Sequence, residues 1–266
     1  AYHYFMHFTY KCIDEKNQII FILFLFIYHF FFDNFFAHLV HNGVKRIVYN
    51  LKFDEQIKYK MTNCLFFGDS ITYGEYDGIL GGYVDDLKRY SHSKYYNENA
   101  NEVNCFNLGI GGETTVGLLN RLENEIKARL SPDENLVFFF YGANDLAIKN
   151  NEEIVSLHDF KHHIETAINL TRNYTPHIFL ISILPIASEI DGVMVASGKL
   201  RTTERIKLFN QQLKEIAEAY QISYLDIYSV FESRKAELIS KDNVHPNEKG
   251  YALISDLIKP ILDKCL

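Results

Sequence analysis

Three residues of the chain, Ser70, Asp242 and His245, have the types and spacing for nucleophilic hydrolysis. Ser70 follows a short apolar run in "CLFFGDSITYG" (64–74), and the other two lie three residues apart in "DNVHPN" (242–247). A serine hydroxyl is a weak nucleophile until a base removes its proton, and the base works best when a carboxylate orients it. The D-x-x-H spacing can place the carboxylate at one imidazole nitrogen and leave the other nitrogen facing the serine. We therefore predict Ser70 as nucleophile, His245 as general base and Asp242 as the acid that orients it.

Attack of a hydroxyl on an ester carbonyl creates an oxyanion, which needs hydrogen-bond donors fixed in place. The sequence offers three donors. They are the backbone N–H of Ser70 at the start of a helix, the backbone N–H of Gly112 in "GIGGETT" (109–115), and the side-chain amide of Asn144 in "GAND" (142–145). Gly112 has no Cβ, so the backbone can approach a substrate closely there.

Each of these residues also has a purely structural interpretation. Ser70 or Asn144 could cap a helix, Gly112 could lie in a simple turn, and Asp242 and His245 could belong to a surface loop. Any one of these interpretations is as plausible as the catalytic one. The four quoted segments together favour catalysis, because each lies at a predicted junction between a strand and a helix.

Five apolar runs that alternate with amphipathic stretches indicate the scaffold. Near-continuous apolar runs are typical of strands in a sheet that is covered on both faces. The runs lie at 63–67, 103–108, 135–141, 177–182 and 222–227, and helical patterns lie at 119–130, 156–174, 206–220 and 248–264. The predicted fold is therefore α/β, a three-layer α/β/α sandwich around a five-stranded parallel sheet. Ligands of such sheets bind beyond the carboxyl ends of the strands, where the polar clusters fall.

Four blocks of the sequence resemble the signature blocks of the SGNH hydrolases, also called GDSL esterases and lipases. The blocks are "FFGDSITYG", "NLGIGGETT", "YGANDL" and "DNVHPNEKGY", and the resemblance covers essentially all of residues 61–266. The first block reads G-D-S-I instead of G-D-S-L, an exchange of one apolar residue for another. The resemblance implies a flavodoxin-like sheet with strand order 2-1-3-4-5.

The same resemblance implies a role for each residue of the site. Ser70, Gly112, Asn144 and His245 occupy the four positions that name the family, and Asp242 matches the acid three residues before the histidine. The expected activity is that of a serine esterase, a carboxylic-ester hydrolase that cleaves a small acyl or acetyl ester through an acyl-enzyme, with no cofactor and no metal. Acetylated sugars, lysophospholipids, thioesters and simple aliphatic esters all suit these residues.

Two other functions stay open at this point. One is a metal-assisted hydrolase that uses Asp69, Asp145 and histidines, and the other is a catalytically silent ligand-binding domain on the same fold. His158 and His162 lie four residues apart, with His163 beside them, a spacing that could hold a metal. No H-E-x-x-H arrangement accompanies them, so a solvated helix face is the favoured interpretation.

A long connection at residues 184–204 separates the fourth predicted strand from its helix. It exceeds the usual length of such connections, which predicts a role in lining the pocket. Val193, Met194 and Val195 could touch an acyl group there, or could form a collapsed core of the loop.

Residues 1–60 differ in composition from residues 61–266, and we place the domain boundary at Met61. The first segment holds 17 of the 39 aromatic residues and contains an uncharged run at 17–32. That run is shorter than the roughly 20 residues that a spanning helix needs. We interpret residues 1–60 as a non-domain extension that is disordered, membrane-associated or an artefact of the gene model. A cytoplasmic location is expected, with membrane anchoring or export through this segment as the alternative.

The overall charge indicates which partners are favoured, and the cysteines indicate the redox compartment. A net charge of -7 does not favour binding to nucleic acid or to an anionic membrane surface. The four cysteines form no C-x-x-C pair, which favours free buried thiols in a reducing compartment. The expected partner is a small-molecule ester, and membrane contact is expected only through residues 1–60.

Overall fold

The computed structural model of the protein describes residues 60–266. The predicted extension therefore lies outside the described residues, apart from Lys60, and the boundary at Met61 stays a prediction. In chain order the strands are β1 (Met61–Gly68), β2 (Glu102–Gly109), β3 (Glu134–Phe140), β4 (Ile148–Lys149), β5 (Glu152–Glu153), β6 (Ile178–Ile181), β7 (Lys199–Leu200) and β8 (Ser223–Leu225). The helices are α1 (Ser70–Tyr73), α2 (Tyr83–Glu98), α3 (Thr115–Lys127), α4 (Leu157–Thr171), α5 (Thr203–Tyr220), α6 (Ile227–Glu232), α7 (Lys235–Leu238) and α8 (Glu248–Leu262).

Five strands form a parallel sheet in the order β2-β1-β3-β6-β8. Counted along the chain within this sheet, the order is 2-1-3-4-5, as the family resemblance implied. Buried side chains of α3, α4 and α5 join one apolar cluster, and those of α2, α6 and α8 join a second cluster. The predicted three-layer α/β/α sandwich is therefore confirmed.

Paired phenylalanines show why β1 and β3 can lie at the centre of the sheet. Side chains of successive strand residues point to opposite faces, so a Phe-Phe pair supplies both faces at once. Phe66 stacks on Phe138, and Phe138 stacks on Phe179, each with 4.5 Å between ring centroids. On the other face Phe67 packs against Phe139 at 5.8 Å. These aromatic pairs fix the register of three neighbouring strands.

One strand is shorter than predicted, and one long helix was not predicted. The predicted run at 222–227 shortens to β8, because Asp226 leaves the strand and caps α6 by accepting a hydrogen bond from the backbone N–H of Ser229. Helix α2 is not among the predicted helices. It buries Tyr83, Val84 and Leu87 at its start and then continues with polar residues and tyrosines, which form no clear apolar stripe.

A small antiparallel sheet, β5-β4-β7, is also absent from the prediction. Its strands have two residues each, too few to show a period in the sequence. The pairing of Ile148 with Leu200 attaches the long connection 184–204 to the segment that follows Asn144. Within residues 60–266, the helices are all too short or too polar to cross a membrane.

Candidate active site

The segment Gly68, Asp69 and Ser70 turns sharply from β1 into α1. A Cβ on Gly68 would lie 2.0 Å from Thr72 Oγ1 and 2.9 Å from the Phe140 carbonyl oxygen, so only glycine fits between them. Asp69 caps the helix, because its Oδ1 accepts a hydrogen bond from the Ile71 N–H at 2.9 Å. The capping role therefore belongs to Asp69, which leaves the Ser70 hydroxyl available for other contacts.

The Ser70 hydroxyl faces the histidine from the loop before α8. Ser70 Oγ lies 2.7 Å from His245 Nε2, and His245 Nδ1 contacts Asp242 Oδ2. Because an ionised carboxylate can only accept hydrogen bonds, Nδ1 must carry the proton in this pair. In the neutral imidazole Nε2 is then the acceptor, oriented to take the serine proton.

The Asp242 carboxylate is held by its own loop. Its Oδ1 accepts hydrogen bonds from the backbone N–H groups of Val244 at 3.0 Å and His245 at 2.9 Å, and from the Ser240 hydroxyl at 2.6 Å. Partial burial opposes ionisation. The hydrogen bonds from His245, Ser240 and the backbone outweigh it and hold the pKa of Asp242 well below its usual value. The carboxylate therefore stays ionised and keeps His245 oriented.

Tyr76 forms a wall beside the histidine that the sequence analysis missed. Its ring centroid lies 5.2 Å from that of His245 in an edge-on arrangement, although 65% of the Tyr76 surface is exposed. Its φ of 68° lies in the left-handed region, which is uncommon for a bulky residue. Tyr251 supports this turn, because its hydroxyl donates to the Glu75 carbonyl oxygen at 2.8 Å.

Gly112 lies exposed in the loop after β2, beside the cavity that Ser70 enters. The sequence suggested that glycine is needed there for close approach. A Cβ on Gly112 would meet no protein atom within 4 Å. The φ of 77° is instead the feature that requires glycine in the free protein, because L-residues with a Cβ rarely adopt it.

Asn144 is buried at the opposite wall and uses both ends of its amide. The nitrogen donates to the Glu113 carbonyl oxygen at 3.1 Å and to Asp69 Oδ2 at 3.3 Å. The oxygen accepts from Lys199 Nζ at 2.8 Å and from Arg201 Nη2 at 3.3 Å. Both N–H groups of the amide therefore have protein acceptors, and the contact to Asp69 is the longer of the two.

A buried network holds the loop that contains Gly112. Glu113 Oε2 accepts hydrogen bonds from Arg121 Nη2 and from the Tyr141 hydroxyl, each at 2.6 Å. Arg121 also donates to the Leu108 carbonyl oxygen at 2.6 Å, which connects the loop to β2. The only signal for this network in the sequence is a glutamate eight residues before an arginine.

The carboxylates proposed for a metal site have other partners. Asp145 Oδ1 accepts from the Thr115 N–H at 2.8 Å and from its hydroxyl at 2.5 Å, so this side chain fixes the start of α3. Asp69 bonds to Ile71 and Asn144. Burial raises the pKa of Asp69 and of Asp145 to about 6. Neither carboxyl is among a group arranged for metal binding within residues 60–266.

The histidines of α4 also lie apart from the serine. His158 and His162 are exposed, and His158 contacts Asp159. His163 Nδ1 lies 2.9 Å from Thr115 Oγ1. In the described part of the chain, no cluster of three or more possible metal ligands includes them. His158 and His162 are thus on the solvated face of α4, whereas His163 is half-buried.

Cysteines in the described range match the expected free thiols. Cys64, Cys105 and Cys265 are buried and form no disulfide. Cys12 lies outside the described residues.

A cavity of about 390 Å³ lies between the site residues. Its lining includes Ser70, His245 and Asp242 together with Gly112 and Asn144. The cavity brings together all five predicted site residues, from four separate loops.

The long connection 184–204 lines the cavity, as its length suggested. It contributes Val195, Ala196, Ser197, Lys199 and Arg201. The other two residues predicted to touch an acyl group, Val193 and Met194, are not part of the lining and are 49% and 53% exposed. The connection therefore contributes mainly small and cationic side chains to the cavity.

Comparison with known proteins gives a family match and two curated relatives. Residues 66–253 match the GDSL-like lipase/acylhydrolase family. The spore germination lipase LipC of Bacillus licheniformis is 25% identical over 208 residues, which cover 72% of this chain and 92% of LipC. The uncharacterized protein YpmR of Bacillus subtilis is 24% identical over 220 residues, which cover 74% of this chain and 80% of YpmR.

Solved structures with the same architecture include a lipase/acylhydrolase from Enterococcus faecalis. It is 28% identical with a TM-score of 0.60, and the match covers 76% of this chain and 95% of that one. A variant of Axe2, an acetyl xylan esterase from Geobacillus stearothermophilus, is 22% identical with a TM-score of 0.57 and covers 74% and 93% of the two chains. At that identity the second match shows the fold alone.

Proposed function

The chain belongs to the GDSL-like lipase/acylhydrolase family, and we propose that it is a serine esterase that hydrolyses a small carboxyl ester through an acyl-enzyme. The observation that carries the proposal is the continuous set of contacts from Ser70 to His245 to Asp242 at the end of the sheet. A hydroxyl 2.7 Å from an acceptor nitrogen is in position to lose its proton as it attacks.

Acylation uses these three side chains in turn. Ser70 Oγ attacks the ester carbonyl carbon, and its proton moves to His245 Nε2. Asp242 stabilises the imidazolium that results. The tetrahedral intermediate then collapses, the bond to the alcohol oxygen breaks, and His245 gives its proton to the departing alcohol. The acyl group remains on Ser70.

Deacylation repeats the steps with water as the nucleophile. His245 Nε2 takes a proton from water, the hydroxide attacks the acyl-serine carbonyl carbon, and the proton passes to Ser70 Oγ as the C–O bond breaks. The carboxylic acid leaves and the serine is restored.

Three donors are available for the oxyanion in both half-reactions. The backbone N–H of Ser70 lies in the first turn of α1, where helix N–H groups lack intrahelical partners. Gly112 contributes its backbone N–H, and Asn144 contributes the side-chain N–H that faces Asp69 at 3.3 Å in the free protein. Exchange of this long contact for a shorter one to the oxyanion favours the transition state over the ground state.

The size of the cavity supports a small acyl group. A volume of about 390 Å³ lies near the lower end of the range for small-molecule sites. Ile71, Ala143 and Val244 add apolar surface to its lining. Two similar proteins are named as a lipase and as a lipase/acylhydrolase, which supports an ester as the substrate class.

A panel of p-nitrophenyl esters with increasing acyl length, with acetylated oligosaccharides in parallel, tests the proposal. We expect the protein to turn over the short esters best and a fluorophosphonate probe to label Ser70. Ser70→Ala should abolish both the turnover and the labelling.

The matched control is Ser188→Ala, which removes an exposed hydroxyl from the long connection outside the lining of the cavity. It should retain activity. Full activity in Ser70→Ala, or loss of wild-type activity to a chelator, would instead support the metal-assisted alternative.

A further inference from the structure

Strand β7 places two cations beside Asn144. Lys199 and Arg201 are two residues apart on an extended segment, so they share one side of it, while Leu200 lies between them and pairs with Ile148 on β4. The segment is held further by a second bridge between Leu200 and Met194. The two cations are therefore fixed by backbone pairing and do not depend on a flexible loop.

Both cations converge on one atom, the side-chain oxygen of Asn144. Lys199 Nζ donates to Asn144 Oδ1 at 2.8 Å and Arg201 Nη2 donates to it at 3.3 Å. Arg201 Nε also donates to the carbonyl oxygen of Ala143 at 2.7 Å, so Arg201 binds the backbone just before Asn144 as well as its side chain.

The chemistry of the neighbours sets the orientation of the Asn144 amide. Its oxygen faces two cationic donors, and its nitrogen faces two acceptors, the Glu113 carbonyl oxygen and the Asp69 carboxylate. Rotation of the amide by half a turn would oppose donors to donors and acceptors to acceptors at all four contacts. Only one orientation is therefore compatible with this environment.

The charges of Lys199 and Arg201 are poorly compensated. Their hydrogen bonds in the described range go to neutral oxygen atoms, and Arg201 is only 7% exposed. Burial lowers the pKa of both groups, although Asp69 nearby opposes the shift. A developing negative charge in the cavity would therefore be favourable to both.

We propose that Lys199 and Arg201 are positioning residues that polarise the Asn144 amide and hold its N–H toward the oxyanion. The inference rests on the esterase function proposed above. Two positive charges at the amide oxygen draw electron density from the nitrogen, so the N–H becomes a stronger donor. The amide also cannot rotate, so it is preorganised for the moment when charge develops.

Steady-state kinetics on a short p-nitrophenyl ester test the inference through Lys199, which is only half-buried and can be replaced with little risk to folding. Lys199→Met keeps the aliphatic length and removes the charge. We expect kcat to fall by about tenfold, as for loss of a charge-assisted hydrogen bond, and KM to change by less than about twofold. Lys199→Arg should restore most of the rate.

The matched control is Lys149→Met. Lys149 is the register partner of Lys199 on β4 and is an exposed cation of the same type. It should retain the wild-type rate. Thermal melts of all variants show whether any loss arises from unfolding.

A double-mutant cycle separates polarisation of Asn144 from every other role. When Asn144→Ala is already present, Lys199→Met should cost less than about twofold in kcat, because the group it acts through is gone. An undiminished tenfold loss would overturn the inference. So would a rise in KM confined to esters that carry an anionic group, because the cations would then bind substrate directly.

A spectroscopic measurement tests the inference without any need for ester turnover. The side-chain amide signal of Asn144 in a 15N–1H spectrum is assigned by its absence in Asn144→Ala. Its proton should move to lower frequency in Lys199→Met and stay in place in Lys149→Met. A signal that does not move would overturn the polarisation whatever the ester assays give. A signal that moves in a protein that hydrolyses no ester would support the polarisation and overturn the proposed function.

Discussion

The two sides of the cavity differ in how far apart along the chain their contacts lie. On the nucleophile side, formed by Ser70, Asp242 and His245, the contacts that orient Ser70 and Asp242 are local, although Ser70 meets His245 across 175 residues. Asp242 accepts from the backbone of His245 three residues later, and Asp69 caps the helix two residues later. On the oxyanion side, formed by Gly112, Asn144, Lys199 and Arg201, the cations reach Asn144 from 55 and 57 residues away.

This difference has a physical consequence for each side. Local contacts depend on a turn or a helix cap, so a short motif specifies them. Contacts across more than 50 residues depend on the sheet and on the small β5-β4-β7 sheet bringing segments together. The turn and the cap that orient Ser70 and Asp242 are therefore specified by sequence motifs, and the contacts that hold Asn144 by tertiary structure.

The largest expected effect comes from replacing His245, the proposed general base on the nucleophile side. His245→Gln should lower kcat by a factor on the order of 10⁴–10⁶, because the serine then has no acceptor for its proton. Adding Ser70→Ala should cause little further loss, since the residues act as a unit. Initial rates on p-nitrophenyl acetate measure both. Lys241→Ala, an exposed residue of the same loop, is the control. Losses that multiply in the double variant would argue against a shared step.

The next effect comes from the oxyanion side. Asn144→Ala should lower kcat by about 10²–10³, with a much smaller change in KM, as for loss of one oxyanion donor. Asn144→Asp sharpens the comparison. Lys199 and Arg201 can pair with the new carboxylate, so the fold should hold, yet the added negative charge should lower kcat below that of Asn144→Ala. A rise in KM with kcat preserved would make Asn144 a substrate-binding or capping residue.

Features made by local contacts can be predicted from the sequence, whereas features made by remote contacts cannot. The double phenylalanines of β1 and β3, and the D-x-x-H turn before α8, are visible as short patterns. Lys199 and Arg201 are not, because a two-residue strand has no period and their partner is remote. Tyr76 was not predicted as a site residue, because no local sequence pattern indicates that a tyrosine will adopt a left-handed conformation. Helix α2 was missed because its buried apolar residues all lie within its first half.

The carboxyl groups around the cavity should affect stability against pH with opposite signs. Burial raises the pKa of Asp69 and Asp145 to about 6, above the unfolded value of about 3.9, so their contribution is present below about pH 4 and is lost as pH rises through about 6. The pKa of Asp242 is lowered, because its hydrogen bonds outweigh its burial. Its contribution is therefore present above about pH 4 and is lost as pH falls below.

Chemical denaturation at pH 4.5 and pH 8 checks this sign. Between these two values the Asp145 contribution to the free energy of unfolding should fall by about 2 kcal/mol in the wild type. In Asp145→Asn the measured fall should be smaller by that amount, because the new amide still accepts from Thr115 without ionising, while Asp69 continues to contribute. Asp256→Asn, which changes an exposed carboxylate, should keep the wild-type dependence. An identical pH dependence in Asp145→Asn and the wild type would contradict the assignment.

The smallest expected effect concerns why residue 112 is glycine. Gly112 and Gly78 both have open space where a Cβ would lie, but only Gly112 has φ in the left-handed region. Gly112→Ala should therefore cost about 1–2 kcal/mol, which corresponds to a fall of a few degrees in Tm, and a several-fold loss of kcat as its N–H shifts. Gly78→Ala should change neither quantity. If Gly112→Ala kept its Tm and lost its activity altogether, then close approach of the substrate, not backbone conformation, would be what requires glycine on the oxyanion side.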